Sequence, residues 1–200
     1  MNKIKWKGGA LIAPLPAVMV SCADKDGNGA NIITVAWTGI INTVPPKTYI
    51  SVRPKRHSYS LIKDSGEFTI NLTTARLAHQ TDFCGMYTGR KVDKFKKCGL
   101  TAQEGSENRC PMIAECPISL ECKVTDVIPM GTHDMFIADI VATHVSDELL
   151  DETGKLHMEK ADLMAYAHGE YFSLGRKLGV FGFSAAKKVK KKGKKPGVGK

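Results

Sequence analysis

Residues 31–63 constrain the fold more than any other part of the sequence. Residues 31–38 are rich in β-branched and aromatic side chains, and residues 49–52 repeat that composition after the pair Pro45-Pro46. Such a composition is typical of β-strands. Proline cannot donate to a strand ladder, so the pair marks a place where strands end. The stretch therefore predicts two strands joined by a proline turn, followed by a helix-like segment.

A basic octet, residues 53–60 (RPKRHSYS), leads into that helix-like segment. The first N–H groups of a helix have no partner inside the helix, so an anion is favoured there. Arg53 and Arg56 are suited to clamp a phosphate, and Ser58 or Ser60 to donate to its remaining oxygens. A solvated basic turn with a serine at the helix start explains the same residues. The octet alone leaves both interpretations open.

The strand before the octet favours a ligand site. A glycine-rich loop, residues 24–29, predicts a hairpin between residues 17–22 and residues 31–38. Alternation places Thr34, Ala36 and Thr38 on one face of the second strand. A small, partly hydroxylic face allows a flat ligand to approach the backbone closely. The alternative is a strand whose threonines face solvent.

The remaining segments predict a mainly β chain with a few short helices. Strands are expected at residues 68–72, 118–128 and 135–145, and helical segments at residues 75–83 and 93–97. Strands of this number and spacing predict a closed or split antiparallel barrel. The length suits one domain. We expect that domain to span residues 1–186 and a disordered lysine-rich tail to span residues 187–200.

The net charge of +9 depends on that tail. Removing its eight lysines from the 29 basic residues leaves 21 against 20 acidic residues. No stacking aromatics or recognition helix accompany the tail's charge, so specific nucleic-acid binding is not expected. No apolar run approaches the roughly 20 residues of a membrane span, and prolines interrupt the short apolar stretch near the N-terminus. A cytoplasmic protein is the expectation.

Six cysteines raise the question of a metal site or disulfides. No pair has the C-x-x-C spacing, and an even count does not imply bridges in a cytosolic protein. Cys116 and Cys122 share one face of an alternating strand, as small core residues do, while Ser119 and Glu121 are expected to face away from it. We therefore predict no metal site. Cys84 and Cys98 are less easily assigned to a core.

Several motifs in order resemble one family. They comprise N-x-x-T-x-A-W-T from Asn31, Pro45-Pro46, S-V-R-P from Ser51 with His57-Ser58, E-F-x-I-N from Glu67, G-R-x-x-D-K-F from Gly89, and Y-x-x-G-x-Y from Tyr166. Across about residues 10–185 the chain resembles the flavin reductase-like, FMN-binding split-barrel family, most closely its flavoredoxin branch. The resemblance implies an FMN-binding, antiparallel, Greek-key-like split β-barrel that forms a homodimer.

The resemblance also implies where FMN contacts the chain. The isoalloxazine side is assigned to Asn31, Thr34, Ala36, Trp37 and Thr38. The ribityl and phosphate side is assigned to Ser51, Arg53, His57, Ser58 and Ser60, with Arg90 and Lys94 as further phosphate cations. Trp37 is equally consistent with a core aromatic. Tyr171 and Phe172 are expected to cover the flavin or the subunit contact.

His133 is the candidate catalytic residue. Many flavin reductases resembling this chain have Gly-Asp-His here, linked to the use of nicotinamide nucleotides, whereas this chain has Gly131-Thr132-His133 with Asp134 following. The difference favours an electron carrier that accepts electrons from a protein donor. An NAD(P)H-dependent flavin reductase is the alternative, and a barrel without catalytic function is a second one. His133 is also consistent with a structural role on the strand wall.

Overall fold

The computed structural model describes residues 1–185 and has three antiparallel sheets around short helices. The strands are β1 (Leu15–Pro16), β2 (Val18–Cys22), β3 (Asn31–Val35), β4 (Thr38–Thr43), β5 (Pro46–Val52), β6 (Glu67–Leu72), β7 (Ala102–Gln103), β8 (Met112–Ile113), β9 (Ile118–Pro129), β10 (Asp134–Val145), β11 (Met164–Ala167) and β12 (Glu170–Ser173). The α-helices are α1 (His57–Ser65), α2 (Ala78–Met86) and α3 (Lys94–Cys98). Single 3₁₀ turns lie at Ala75–Leu77, Asp147–Leu149, Met158–Lys160 and Phe183–Ala185. The predicted tail, residues 187–200, lies outside the described residues.

The largest sheet has seven strands in the order β3-β2-β6-β9-β10-β5-β4. Its two edge strands, β3 and β4, follow each other in the chain and are separated only by Ala36 and Trp37. Because two residues span at most about 7 Å, the sheet must curl until its edges approach each other. The hydrogen bond from the Ser51 N–H to the Trp37 carbonyl (3.0 Å) continues the β4–β5 pairing by one residue, and no ladder joins β3 to β4. The mainly β, antiparallel prediction is confirmed, and the barrel is an open one.

The predicted strand at residues 31–38 is wrong in one respect. It ends at Val35, bends at Ala36 and Trp37, and restarts at Thr38 on the opposite edge of the sheet. The bend takes both residues out of the regular ladder. The Trp37 carbonyl accepts from the Ser51 N–H, whereas the Ala36 groups and the Trp37 N–H have no backbone partner among residues 1–185. The functional cleft described below opens at this bend.

Two apolar cores hold the sheet and helices together. The inside of the curled sheet buries Phe68, Phe136, Ile50 and Ile62 completely. A second core lies between the sheet and the two later helices, where Met19 and Ile32 pack with Leu77, Cys84 and Phe95. Burial of these side chains fixes α2 and α3 beside β3. This packing places the loop after α2 next to the start of α1.

Glu121 is fully buried, although the alternation of β9 predicts a side chain that faces away from the core. It does lie on the opposite face of β9 from Cys122. Burial raises the pKa of a carboxyl group, and backbone N–H bonds from Ser106, Glu107 and Asn108, with a bond from His144, lower the pKa of Glu121 to about 2. The loop that supplies these N–H groups therefore closes over a charge, which the alternation of β9 did not reveal.

Candidate functional site

A cleft opens where β3 ends and β4 begins. Its first part has a volume of about 380 Å³ and is lined by residues 33–37 on one side and residues 51–53 on the other. Thr34 is held in place because its hydroxyl donates to the carbonyl of Thr81 in α2. The bend at Ala36 and Trp37 thus borders the cleft with the Ala36 backbone and the Trp37 N–H, while the Trp37 carbonyl is bonded to Ser51.

Aromatic rings surround this part, which we call the aromatic lobe. Its side-chain wall consists of Trp37, Asp82, Met86, His133, Tyr166 and Tyr171. The ring centroids of Trp37 and His133 lie 4.5 Å apart, and the Tyr171 hydroxyl donates to Asp82 Oδ1 (3.2 Å). Trp37 is 41% exposed, so the alternative of a core aromatic is wrong. The lobe offers a flat, partly apolar surface that is open to solvent.

The second part of the cleft, which we call the cationic lobe, has a volume of about 300 Å³. Its side chains include Asn31, Arg53, Lys55, Arg56, His57, Ser58, Cys84, Tyr87, Thr88 and Lys94. The lobe lies at the start of α1, where Arg56 is the N-cap residue and makes no side-chain bond to the first turn. The N–H groups of His57 and Ser58 are therefore available to an anion, whereas that of Tyr59 donates to the Arg56 carbonyl (3.1 Å). Ile33, Arg53 and Arg56 line both lobes, so the cleft is continuous.

A close contact fixes the floor of the cationic lobe. The Asn31 Nδ2 donates to Ser58 Oγ (2.8 Å), and both side chains are buried. Gly89 passes directly over this pair: a Cβ there would lie 2.1 Å from Asn31 Oδ1 and 2.9 Å from His57 Cδ2. Only glycine fits at this position without a shift of backbone or floor. The loop after α2 is therefore part of the site.

Lys94 is buried at the base of the cationic lobe, whereas a cation that binds phosphate directly is expected to be exposed. Its Nζ donates to the carbonyls of Ile32 (2.6 Å) and Cys84 (2.7 Å). Burial lowers the pKa of Lys94. Two of its three N–H groups thus tie β3 to α2 beneath the cationic lobe. Its role toward phosphate stays a prediction that rests on the remaining N–H and the charge.

His133 lines the aromatic lobe beside Arg53, a residue that lines both lobes. Its Nε2 accepts a bond from Arg53 Nε (3.3 Å), and its Nδ1 lies 3.0 Å from the Thr132 hydroxyl. Burial, followed by the charges of Arg53 and Arg56, lowers the pKa of His133. Asp134 does not approach this ring to replace the missing acid, because its Oδ2 accepts the Tyr59 hydroxyl at 2.6 Å.

His57 resembles His133 in its electrostatics. Burial, followed by the charges of Arg90 and Lys94, lowers the pKa of His57. Arg90 is exposed and lines neither lobe, but its effect on His57 places it near the cationic lobe. In addition to burial, a different pair of cations therefore lowers the pKa of each histidine.

Three predicted residues, Thr38, Ser60 and Arg90, line neither lobe. The Thr38 hydroxyl is buried against the Tyr49 carbonyl (2.6 Å), and the exposed Ser60 hydroxyl donates to the His57 carbonyl (3.2 Å). The other predicted residues, Asn31, Thr34, Ala36, Trp37, Ser51, Arg53, His57, Ser58, Lys94 and His133, line the cleft. Sequence reasoning missed Asp82, Met86 and Thr88, and no local motif marks them.

The cysteines supply no metal centre in the part of the chain that the structure describes. All six are free, and no group of three or more His, Cys, Asp or Glu side chains among residues 1–185 is arranged to hold a metal ion. Nor does the described portion contain a helix long and apolar enough to cross a membrane.

Comparison with known proteins places this geometry in a family. The family model described as a flavin reductase like domain matches residues 12–175. Flavoredoxin of Desulfovibrio vulgaris (Miyazaki F) is similar with a TM-score of 0.86 and 28% identity, covering 92% of this chain and 100% of its own. Flavoredoxin from Methanosarcina acetivorans is similar with a TM-score of 0.82 and 28% identity, covering 93% of this chain and 100% of its own.

An enzyme is also among the relatives. The NADPH-flavin oxidoreductase of Streptomyces viridifaciens is 24% identical over 151 residues, which is 74% of this chain and 77% of that protein. The family match spans both lobes of the cleft and every strand of the seven-stranded sheet. This chain therefore belongs to the flavin reductase-like family, in its flavoredoxin branch.

Proposed function

We propose that this protein binds FMN in the cleft and carries electrons from a reduced protein donor to an acceptor. The observation that supports the proposal most is the continuity of the two lobes through Ile33, Arg53 and Arg56. An aromatic lobe suits a flat heteroaromatic ring, and an adjoining cationic lobe suits the phosphate of its side chain. The two flavoredoxins, which share 28% of the aligned residues with this chain, favour the same function.

The residues of the cleft fit FMN by their chemistry. The bend at Ala36 and Trp37 lies where the edge of a ring would bind, and Thr34 borders the same lobe, whereas Asn31, expected on the ring side, lines the cationic lobe. Arg53, His57 and Ser58 border the phosphate side, whereas Ser51, expected on that side, lines only the aromatic lobe. A bound flavin supplies the electron-transfer chemistry itself, so the chain needs to provide only binding, orientation and electrostatics.

The surroundings of His133 favour a carrier over a reductase. Its imidazole is held by Arg53 and Thr132, and Asp134 is engaged by Tyr59, so no carboxylate assists the histidine. Hydride transfer requires the nicotinamide close to the flavin, and a displacement of ~1 Å can cost about a hundredfold in rate. The alternative, an NAD(P)H-dependent flavin reductase, is supported by the Streptomyces relative.

Homodimer formation belongs to the same proposal. Edge strand β4 and the turn after it expose Ile40 (66%), Ile41 (48%) and Val44 (87%). An exposed apolar edge strand invites aggregation, and pairing with a second copy of the chain is one way to cover it. Sedimentation equilibrium should give twice the monomer mass, and the monomer mass would contradict this part. We also propose a cytoplasmic location, which six free cysteines support.

Absorbance and titration test the binding proposal. We expect the purified protein to hold FMN or take it up stoichiometrically with micromolar affinity, which corresponds to about 8 kcal/mol. Riboflavin lacks the phosphate and should bind at least ~10-fold more weakly. Equal affinities would contradict the phosphate assignment. A protein that takes up no flavin would leave the barrel without catalytic function as the better explanation.

Anaerobic stopped-flow absorbance separates the carrier from the reductase. We expect slow bleaching of the bound flavin by NADH or NADPH and fast bleaching by dithionite. Complete bleaching by either nucleotide within ~1 s, the scale of ordinary enzyme turnover, would make the protein a flavin reductase.

A further inference from the structure

Four exposed cations lie at the solvent opening of the cationic lobe, which we call its mouth. Arg53, Lys55 and Arg56 line it, and the exposed Arg90 directly follows Gly89, which also lines it. Within residues 1–185, none of the four takes part in an ion pair: the charge pairs of that part of the chain involve other side chains. The four positive charges therefore lie together without internal neutralisation.

Hydrogen bonds fix the orientation of two of the four side chains. Arg56 donates from Nη1 to the Gly85 carbonyl (3.2 Å), and Arg53 donates from Nε to His133 (3.3 Å). Two carboxylates on neighbouring elements are engaged elsewhere. Asp93 accepts the Lys96 N–H at the start of α3, and Asp82 accepts the Tyr171 hydroxyl. Arg53 and Arg56 are thus held in place beside the cleft, next to the exposed Lys55 and Arg90.

The charge exceeds what one phosphate monoester neutralises. A phosphate carries at most two negative charges, whereas the mouth has four exposed cations above the buried Lys94. The chain up to residue 186 is nearly neutral, with 21 basic residues left against 20 acidic ones once the tail's eight lysines are removed from the total of 29. The concentration at the mouth is therefore a local feature. A local positive field beside a redox site attracts acidic macromolecules and raises their association rate.

We propose that the surface formed by Arg53, Lys55, Arg56 and Arg90 docks an acidic, low-potential protein electron donor. The proposal rests on the proposed function, since it assumes a flavin in the cleft. Each one-electron donor is oxidised by one electron, so two encounters supply the pair that full reduction of the flavin requires. The accompanying protons come from water.

Ionic strength and charge reversal test the docking surface. Protein saturated with FMN is mixed anaerobically with a reduced plant-type [2Fe–2S] ferredoxin, an acidic donor, at 20 to 500 mM salt. We expect the second-order rate to fall ~10-fold or more over this range, because salt screens steering. Lys55→Glu should lower the rate ~5-fold or more at low salt and have little effect at high salt. Lys155→Glu, an equal charge reversal at an exposed loop residue that lines neither lobe, is the control.

Reduced methyl viologen, a small cation, gives the opposite test. Its rate should rise with salt, and Lys55→Glu should increase it. The proposal would be overturned if the rate of reduction by ferredoxin did not change with salt concentration, or if it fell equally in Lys55→Glu and Lys155→Glu. Equal sensitivity of NADPH reduction to Lys55→Glu would also overturn it, because that result would assign the surface to a dinucleotide. The spectrum before mixing keeps the two proposals apart, because absent flavin refutes the proposed function and a flavin that is present with the wrong salt dependence refutes only the docking surface.

Discussion

The two lobes of the cleft are assembled in opposite ways. The cationic lobe takes most of its charge from one short segment, residues 53–58, at the start of α1. The aromatic lobe takes one or two side chains each from the bend after β3, from α2, from the turn before β10 and from the β11–β12 hairpin. A site for a phosphate can be local because a helix start and neighbouring cations suffice. A wall of rings needs several elements to converge.

This contrast separates what each lobe contributes to binding. Changes in the cationic lobe should weaken FMN much more than riboflavin, because only FMN has the phosphate. Changes in the aromatic lobe should weaken both ligands alike, because both contain the ring. Comparing the two affinities in each variant therefore assigns a residue to a lobe.

The largest effect is expected from Gly89→Ala. The added Cβ would lie 2.1 Å from Asn31 Oδ1 and 2.9 Å from His57 Cδ2, so the loop or the floor must move. We expect FMN affinity to fall ~100-fold, about 2.7 kcal/mol, with a much smaller loss for riboflavin. Calorimetric titration measures both. The control is Gly175→Ala, where a Cβ meets nothing within 4 Å. Equal losses for the two flavins would show that the loop serves the whole cleft.

The second effect concerns the charge itself. Arg53→Ala should weaken FMN binding ~10- to 50-fold, Arg53→Lys less, and Lys63→Ala least. Alanine removes charge and fork, whereas lysine keeps the charge and loses the bidentate geometry. Lys63 is exposed in the last turn of α1 and lines neither lobe. A titration that ranks Lys63 above Arg53 would move the phosphate to another place.

The same contrast explains what could be predicted from the sequence. The basic octet and the following helix could be predicted because most charges of the cationic lobe are neighbours in the chain. Motif order identified the family, which the family model and the flavoredoxin structures confirm. Asp82 and Met86 were missed because they reach the cleft only through the packing of α2 on β3.

Two other differences have the same cause. Residues 31–38 all suit a strand, so composition could not reveal that the chain leaves the ladder at Ala36 and Trp37 to change edges. Glu121 follows the alternation of β9, but a loop fifteen residues earlier in the chain closes over it. Both outcomes depend on contacts between segments distant in sequence, which local propensity does not encode.

A third effect tests the aromatic lobe. Trp37→Leu should weaken FMN and riboflavin alike by ~10-fold, because loss of stacking on one aromatic side chain costs about 1–3 kcal/mol. Trp6→Leu is the matched control, since Trp6 is 76% exposed and lines neither lobe. Fluorescence quenching of the flavin measures each affinity. A loss confined to FMN would mean that Trp37 acts through Arg53 rather than on the ring.

The smallest effect is a change in pKa that distinguishes the fields of the two lobes. Burial and the charges of Arg53 and Arg56 lower the pKa of His133 from 6.5, whereas burial and the charges of Arg90 and Lys94 lower that of His57. Like charge disfavours an imidazolium, so Arg53→Ala should raise the pKa of His133 while burial keeps it below 6.5, and the pKa of His57 should not move. Arg90→Ala should raise the pKa of His57 and leave that of His133 unchanged. Arg53→Lys keeps the charge and should leave the pKa of His133 closer to its original value than alanine does. NMR titration of the two imidazole Cε1–H resonances in flavin-free protein measures the pKa of each histidine in the parent protein and in every variant. If both histidines respond equally to either arginine, one field covers the whole cleft and the division into two lobes fails electrostatically.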